Sequence, residues 1–329
     1  MPRIRKRKFG PGVPPPHERK PFRDVGRFLK ETFGAKCYKV CVDGGFTCPN
    51  RDGTCGTGGC IFCGERGSGE FITESGIRNQ IAVAMKKAQW KHHAEKFIVY
   101  FQNFTNTYAP VDVLRAKYDG ALAQGDERIV GLAVGTRADC ISEEVADLLA
   151  EYAQKPQKYY VQVELGLQTS DDRTAEFFNR GYKSARFTEA VEILRQRNLN
   201  VVTHIMLGLP GETKEHVKRT VEFLNRHDLQ GIKLHSLYVL EGTRLAELYR
   251  EGKFEPITYA EYIDWALYVL THVSPELVIH RISGDCPRDM LVAPDWILKK
   301  KQILDEIIKT MEKNGWVQGE FYEKGQKIV

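Results

Sequence analysis

No stretch of the sequence approaches the roughly 18 consecutive apolar residues that a membrane-spanning helix needs. An integral helical membrane protein is therefore excluded. An apolar segment near the start is also missing. MPRIRKRKFGPGVPPPHERK is basic and proline-rich, without the hydrophobic core of a secretory signal, so a cytoplasmic protein is expected. A large excess of one charge is lacking too: 48 Lys and Arg face 43 Asp and Glu, for a net +5. That near-balance hides an asymmetry, because residues 1–30 hold 10 basic and 2 acidic residues, leaving 38 basic and 41 acidic in the rest. Such an arm suits contact with a phosphate backbone, and it equally suits a solvated tail. Cysteine is almost absent outside one short segment. Six of the 8 cysteines lie between Cys37 and Cys63, and Cys140 and Cys286 stand alone. In a large chain without an export signal, thiols packed this densely point to metal binding and not to a disulfide scaffold.

What is present is a rhythm. β-rich apolar runs occur at 38–42, 96–101, 128–134, 159–165, 200–207, 232–240 and 276–280, with stretches of helical period between them. Ser142 before EEVADLL and Thr213 before KEHVKRT are helix starts. Strands that recur in this way, each followed by a helix, predict right-handed βαβ units in a parallel sheet. Six or seven units suit a full or partial (β/α) barrel. The expected organisation is a basic arm over 1–21, the barrel over 22–290 and a helical extension over 291–329. Within that extension, APDWILKKKQILDEIIKTMEKNGW is expected to form one long helix.

One loop breaks the rhythm. DGGFTCPNRDGTCGTGGCIFCGERGSGEFITES, between the first strand and its helix, is glycine-rich and carries most of the cysteines. Long loops inside compact domains are usually functional, and in a barrel the loops after strands gather at the active-site face. Cys60-Ile-Phe-Cys63 is a C-x2-C pair, and Cys48 lies where the first strand opens into the loop. Three thiolates on a four-iron cluster leave one iron open to a ligand. A zinc site on Cys48, Cys55, Cys60 and Cys63 is the alternative. Against it stand the single C-x2-C pair and the location in a first βα loop.

The C-x11-C-x2-C spacing, with Phe62 before the last cysteine, resembles the radical S-adenosylmethionine (SAM) superfamily. Within it, the spacing resembles one bacterial branch, related to the Elongator subunit 3 and oxygen-independent coproporphyrinogen oxidase groups. YFQNFTNTYAP, GTRADCIS, VELGLQT, NRGY, HIMLGLPGET, LHSLYVLEGTRL and RISGDCPRDMLVAPDW extend the likeness along the chain. The resemblance implies an enzyme with a [4Fe–4S] cluster on Cys48, Cys60 and Cys63, with Cys55 a non-ligand and Cys37 and Cys41 packing thiols. It also implies SAM as cofactor, cleaved to a 5′-deoxyadenosyl radical, and an electron donor such as flavodoxin or ferredoxin. Phe62 matches the position beside the adenine, Gln102 and Asn103 the loop that binds the SAM amine, and Gln168 and Arg180 a pair on ribose and carboxylate. His204 replaces an acid and Gly135 a glutamate of the related groups, which makes Glu164 a candidate for the amine. Arg137, Asp139, His235, Tyr238, Arg281, Asp285, Arg288 and Asp289 are candidates for the substrate pocket. The implied substrate is a tRNA wobble uridine altered at its 5-substituent, for instance by trimming carboxymethylaminomethyl to aminomethyl. Two alternatives stay open: a radical SAM enzyme acting on a small metabolite or tetrapyrrole, and a non-catalytic RNA-binding protein with a zinc-stapled loop.

Overall fold

The computed structural model describes residues 20–67, 72, 74–123, 125–156 and 158–323. The basic arm expected over 1–21 lies outside these residues except for its last two. Seven parallel strands form one curled sheet in the order β1 (Cys37–Val42), β2 (Lys96–Phe101), β3 (Ile129–Arg137), β4 (Tyr160–Gln168), β5 (Asn200–Leu207), β6 (Gly231–Ser236) and β8 (Val278–Arg281). β2, KFIVYF, shows why: buried at nearly every position, it suits a strand covered on both faces. Helices α2 (Ile77–His92), α3 (Val111–Leu122), α4 (Glu143–Gln154), α6 (Ser184–Gln196), α7 (Lys214–Leu224) and α9 (Tyr259–His272) follow the strands. The main hydrophobic core lies between them and the sheet. Ser142 caps α4 by accepting the Val145 N–H, and Thr213 heads α7 with His216 Nδ1 accepting its backbone N–H at 3.2 Å.

The sheet does not close, because β1 and β8 are its two edges. Helix α1 (Val25–Phe33) touches both of them. Beside β8 the chain just before α1 forms a strand stub, with the Ile279 N–H donating to the Arg23 carbonyl at 2.8 Å. Leu29 of α1 packs with Cys37, Ile98, Tyr100 and Ala133, which seals the end of the lumen where the strands begin.

Two sequence expectations are corrected. The run 232–240 splits: β6 stops at Ser236, and β7 (Val239–Leu240) pairs antiparallel with β9 (Leu291–Ala293) in a separate small sheet. The C-terminal segment is not one helix. A 3₁₀ turn over Asp295–Leu298 precedes α10 (Lys300–Asn314), because Lys299, at φ −90° and ψ 41°, leaves the helical conformation between them. Ile303, Ile307 and Met311 of α10 join the main core. The short helices α5 (Asp172–Phe177) and α8 (Arg244–Arg250) lie in loops at the open face of the sheet. Among the described residues, no helix is long and apolar enough to cross a membrane.

Candidate active site

The cysteine loop leaves β1 at Asp43 and is tied down by backbone hydrogen bonds. The Arg51 N–H donates to Cys48 O (2.8 Å), Cys55 N–H to Pro49 O (2.8 Å) and Cys63 N–H to Cys60 O (2.9 Å). Ile61, inside the C-x2-C turn, links two distant segments. Its N–H donates to Phe178 O at the end of α5, and its carbonyl accepts from Leu245 N–H in α8. Asn50, fully buried, donates from Nδ2 to the Asn179 carbonyl and lies 3.7 Å from the Cys60 sulfur. The Arg51 guanidinium donates to the carbonyls of Gly64 (2.6 Å) and Glu65 (3.2 Å) and covers the Phe104 ring. Gly59, at φ 78°, sits against that side chain; a Cβ there would come within 3.0 Å of Arg51 Nε.

Cys48, Cys60, Cys63 and Phe62 line a cavity of about 880 Å³ that enters the barrel lumen. The neighbouring Cys63 thiol lowers the Cys60 pKa against the effect of burial, and Arg137, Asn50 and Arg180 lower it further. The same neighbour, with burial, holds Cys63 well above the ordinary thiol value. Cys55 differs. It is exposed, its sulfur is 3.9 Å from Asp139 Oδ2, and burial together with that carboxylate raises its pKa. Among the described residues, no three Cys, His, Asp or Glu side chains converge as a single metal ion requires. Burial pushes the Cys37 thiol up to about 12, within the cluster of side chains under α1.

Gln102 and Gln168 reach the cavity. Gln168, at φ 62°, folds over Gly166, where a Cβ would lie 2.5 Å from its amide nitrogen. Asn103 is turned away: it is buried and donates to Asp43 Oδ2 at 2.8 Å, off the cavity wall. Arg180 borders the cavity but is 1% exposed, and its hydrogen bonds go to protein. Nε donates to Tyr182 O (2.9 Å), Nη1 to Leu167 O and Thr169 O (both 2.7 Å), and Nη2 to Asp172 (3.0 Å). It anchors the loop after β4 instead of offering a free fork. Arg137 pairs with Asp139 through both nitrogens (2.9 and 2.7 Å), and it sandwiches Tyr182 together with Arg180. Among the pocket candidates, Arg137, His235, Tyr238, Arg281 and Asp285 line the cavity, whereas Asp139, Arg288 and Asp289 do not.

Deeper in the lumen lies a polar cluster centred on Glu164. Its Oε1 accepts from Lys39 Nζ (2.6 Å) and Gln162 Nε2 (2.8 Å). Its Oε2 accepts from Tyr100 OH (2.8 Å), His204 Nε2 (2.6 Å) and Lys233 Nζ (2.9 Å). Burial alone would raise Glu164; Lys233, Lys39 and the His204 bond outweigh it and hold the carboxyl well below the usual range. Burial, reinforced by Lys233, lowers His204 to about 4, and it holds His235 and His280 well below the ordinary histidine value. Glu164 and His204 are thus bonded to each other. Gly135 pairs in register with Glu164, and a Cβ at Gly135 would sit 3.2 Å from the Tyr100 hydroxyl, so the acid stands one strand over. Lys39, Tyr100, Lys233 and His280 were not singled out from the sequence. Their signal was there: polar residues at alternate positions of otherwise apolar strands, as in YKVCV and IKLHS.

The Radical SAM superfamily model matches residues 51–224, and the Radical_SAM C-terminal domain model matches 229–313. The chain is 39% identical to the uncharacterized protein YtqA of Bacillus subtilis, over 93% of this chain and 94% of that one. It is 39% identical to protein YhcC of Escherichia coli, over 89% and 93%. A tRNA uridine(34) acetyltransferase of Methanocaldococcus jannaschii is 29% identical over 58% of this chain and 34% of its own length. The solved Methanocaldococcus infernus Elp3 superposes with TM-score 0.64 at 20% identity, covering 86% of this chain and 64% of that chain, a likeness of fold.

Proposed function

The chain belongs to the radical SAM superfamily, and from that premise we propose that Cys48, Cys60 and Cys63 hold the cluster and that the protein modifies the 5-substituent of a tRNA wobble uridine. The superfamily's [4Fe–4S] cluster and SAM supply a 5′-deoxyadenosyl radical by one-electron cleavage of the sulfonium, so a reductant is required. Flavodoxin or ferredoxin suits that role, in a cytoplasmic setting. The donor set fits the cluster: Cys48, Cys60 and Cys63 line one cavity together with Arg51, Arg137 and Arg180, and Arg137 and Arg180 favour the Cys60 thiolate. The exposed Cys55 thiol lies beside Asp139 and off the wall that the other three share, which does not suit a ligand.

Phe62, packed on Phe178 at 5.4 Å between ring centroids, offers its backbone to the adenine. Gln102 and Gln168 are the side chains assigned to SAM, since both reach the cavity. Arg180 keeps the Gln168 loop in place. Glu164 and His204 serve the lumen beneath, and Asn103 braces Asp43 at the loop entry.

The tRNA reading is carried by the similarity to the tRNA uridine(34) acetyltransferase over 58% of the chain. A basic, aromatic face on α2 supports it. Val83, Lys87, Trp90 and Lys91 share one exposed stripe, with Trp90 82% exposed, and Lys87 and Lys91 also line the cavity. Cations on phosphates and an indole under a base are how single-stranded RNA is gripped. Nucleoside profiling of tRNA from a strain lacking the gene tests this reading. A precursor at the wobble uridine should accumulate; an unchanged profile overturns the assignment.

A further inference from the structure

We propose that the lumen floor below the cysteine loop is a subsite for one carboxylate carried by the substrate, held by Lys39, Lys233 and His235; this rests on the tRNA reading and names the 5-substituent's acidic end as the occupant.

The floor gathers side chains from β1, β2, β4, β5, β6 and β8 into one wall of the cavity. Two ammonium groups, Lys39 and Lys233, face one carboxylate, Glu164, whose side chain is 0% exposed. Arg281 acts on His235 from the same side, 3.4 Å from an Asp285 carboxylate that Lys300 also reaches. The floor therefore carries at least one positive charge beyond its own neutralisation. An unpaired charge in a dehydrated site is costly, and a single anion relieves it.

The hydrogen bonding points the same way. Glu164 already accepts five bonds and has no capacity for a further cation. Each lysine has three N–H donors. Lys39 uses two, on Glu164 and on His280 Nδ1 at 3.2 Å; Lys233 uses two, on Glu164 and on Tyr100 OH at 3.4 Å. One donor on each remains. His235 adds a third, because its Nε2 is sealed from solvent and has no partner. Its ring stacks at a tilt on His204, 5.2 Å between centroids, which fixes its direction. Two ammonium donors and one imidazole N–H, beside surplus positive charge, match the two oxygens of a carboxylate. A phosphate would bring more oxygens than three donors satisfy. A uridine whose 5-substituent ends in carboxymethylamino presents such a group at the tip of a short chain.

The test uses anaerobically reconstituted holoprotein and three anticodon stem-loop RNAs. Their wobble uridine carries carboxymethylaminomethyl, aminomethyl or no substituent. The acidic RNA should bind about tenfold or more tightly than the others, the span of a charge-assisted hydrogen bond. Lys233→Met and Lys39→Met should bring it level with them and leave the other two affinities unchanged. Because either change leaves Glu164 short of a partner, His235→Asn, which keeps every charge, is the second variant and should lose part of the preference. Equal binding of the three RNAs to the unaltered protein overturns the subsite while the RNA reading stands. If no RNA binds but N-methylglycine raises the melting temperature, and fails to do so in His235→Asn, the subsite stands and the RNA reading falls. Stronger stabilisation by inorganic phosphate than by N-methylglycine overturns the carboxylate assignment.

Discussion

Cys48, Cys60 and Cys63 line one cavity, whereas Cys55, five residues before Cys60, is exposed beside the Asp139 carboxylate. That contrast is the ground for the proposed ligand set. Cys48→Ala, Cys60→Ala and Cys63→Ala should each lose the iron and the visible absorbance of reconstituted protein, and Cys55→Ala should keep both. A full, SAM-cleaving cluster in Cys48→Ala with loss in Cys55→Ala would reverse the assignment. The ligand candidates were legible from spacing alone, because the C-x2-C pair is local. Arg180 was not legible in the same way. Its spacing from Gln168 fitted a SAM contact, but which acceptors surround a guanidinium is a property of the folded loop, and Leu167, Thr169 and Tyr182 supply carbonyls that no pattern reveals. The Lys39–Glu164–Lys233 cluster joins residues up to 194 positions apart along the numbering, so only the curl of the sheet brings them together.

At the scale of elements, the seven main strands and their helices were readable because buried parallel strands are continuous apolar runs of the right length. The small β7–β9 sheet was not, since two- and three-residue strands carry no period and β7 follows β6 almost without a break. The role of α1 was also hidden. Its amphipathic pattern announced a helix, and only the open edge between β1 and β8 explains what its apolar face covers. Leu29, 3% exposed, is the centre of that plug. Leu29→Ala should cost about 3 kcal/mol by loss of apolar contact and cavity formation. It should also open the lumen's lower end. Thiol labelling of native protein checks the second effect: Cys37, buried directly against Leu29, should react several-fold faster in the variant. An unchanged labelling rate in a destabilised protein would show that α1 supports the barrel without closing it.

For the whole molecule, the proposed RNA substrate would meet two regions that differ in charge and shape. Residues 1–30 carry 10 basic and 2 acidic residues, and the α2 stripe presents Lys87, Trp90 and Lys91 next to the cavity. These two regions act through different physics and should separate under salt. Arg3, Arg5, Lys6, Arg7 and Lys8 are cations that would release counterions from phosphates. For a single strand each contact contributes about 0.7 to the slope of log affinity against log salt, so deleting residues 1–20 should flatten that slope by roughly three. Trp90→Ala removes a stacking surface and no charge. It should weaken binding by about 1–3 kcal/mol, as base stacking on an aromatic ring does, with the slope unaltered. Titrating holoprotein, the deletion and Trp90→Ala against one anticodon stem-loop from low to physiological salt distinguishes the two. Identical slopes for holoprotein and the deletion make the arm a solvated tail. A Trp90→Ala curve superimposed on that of the unaltered protein removes α2 from the RNA path and leaves the cavity mouth as the point of contact.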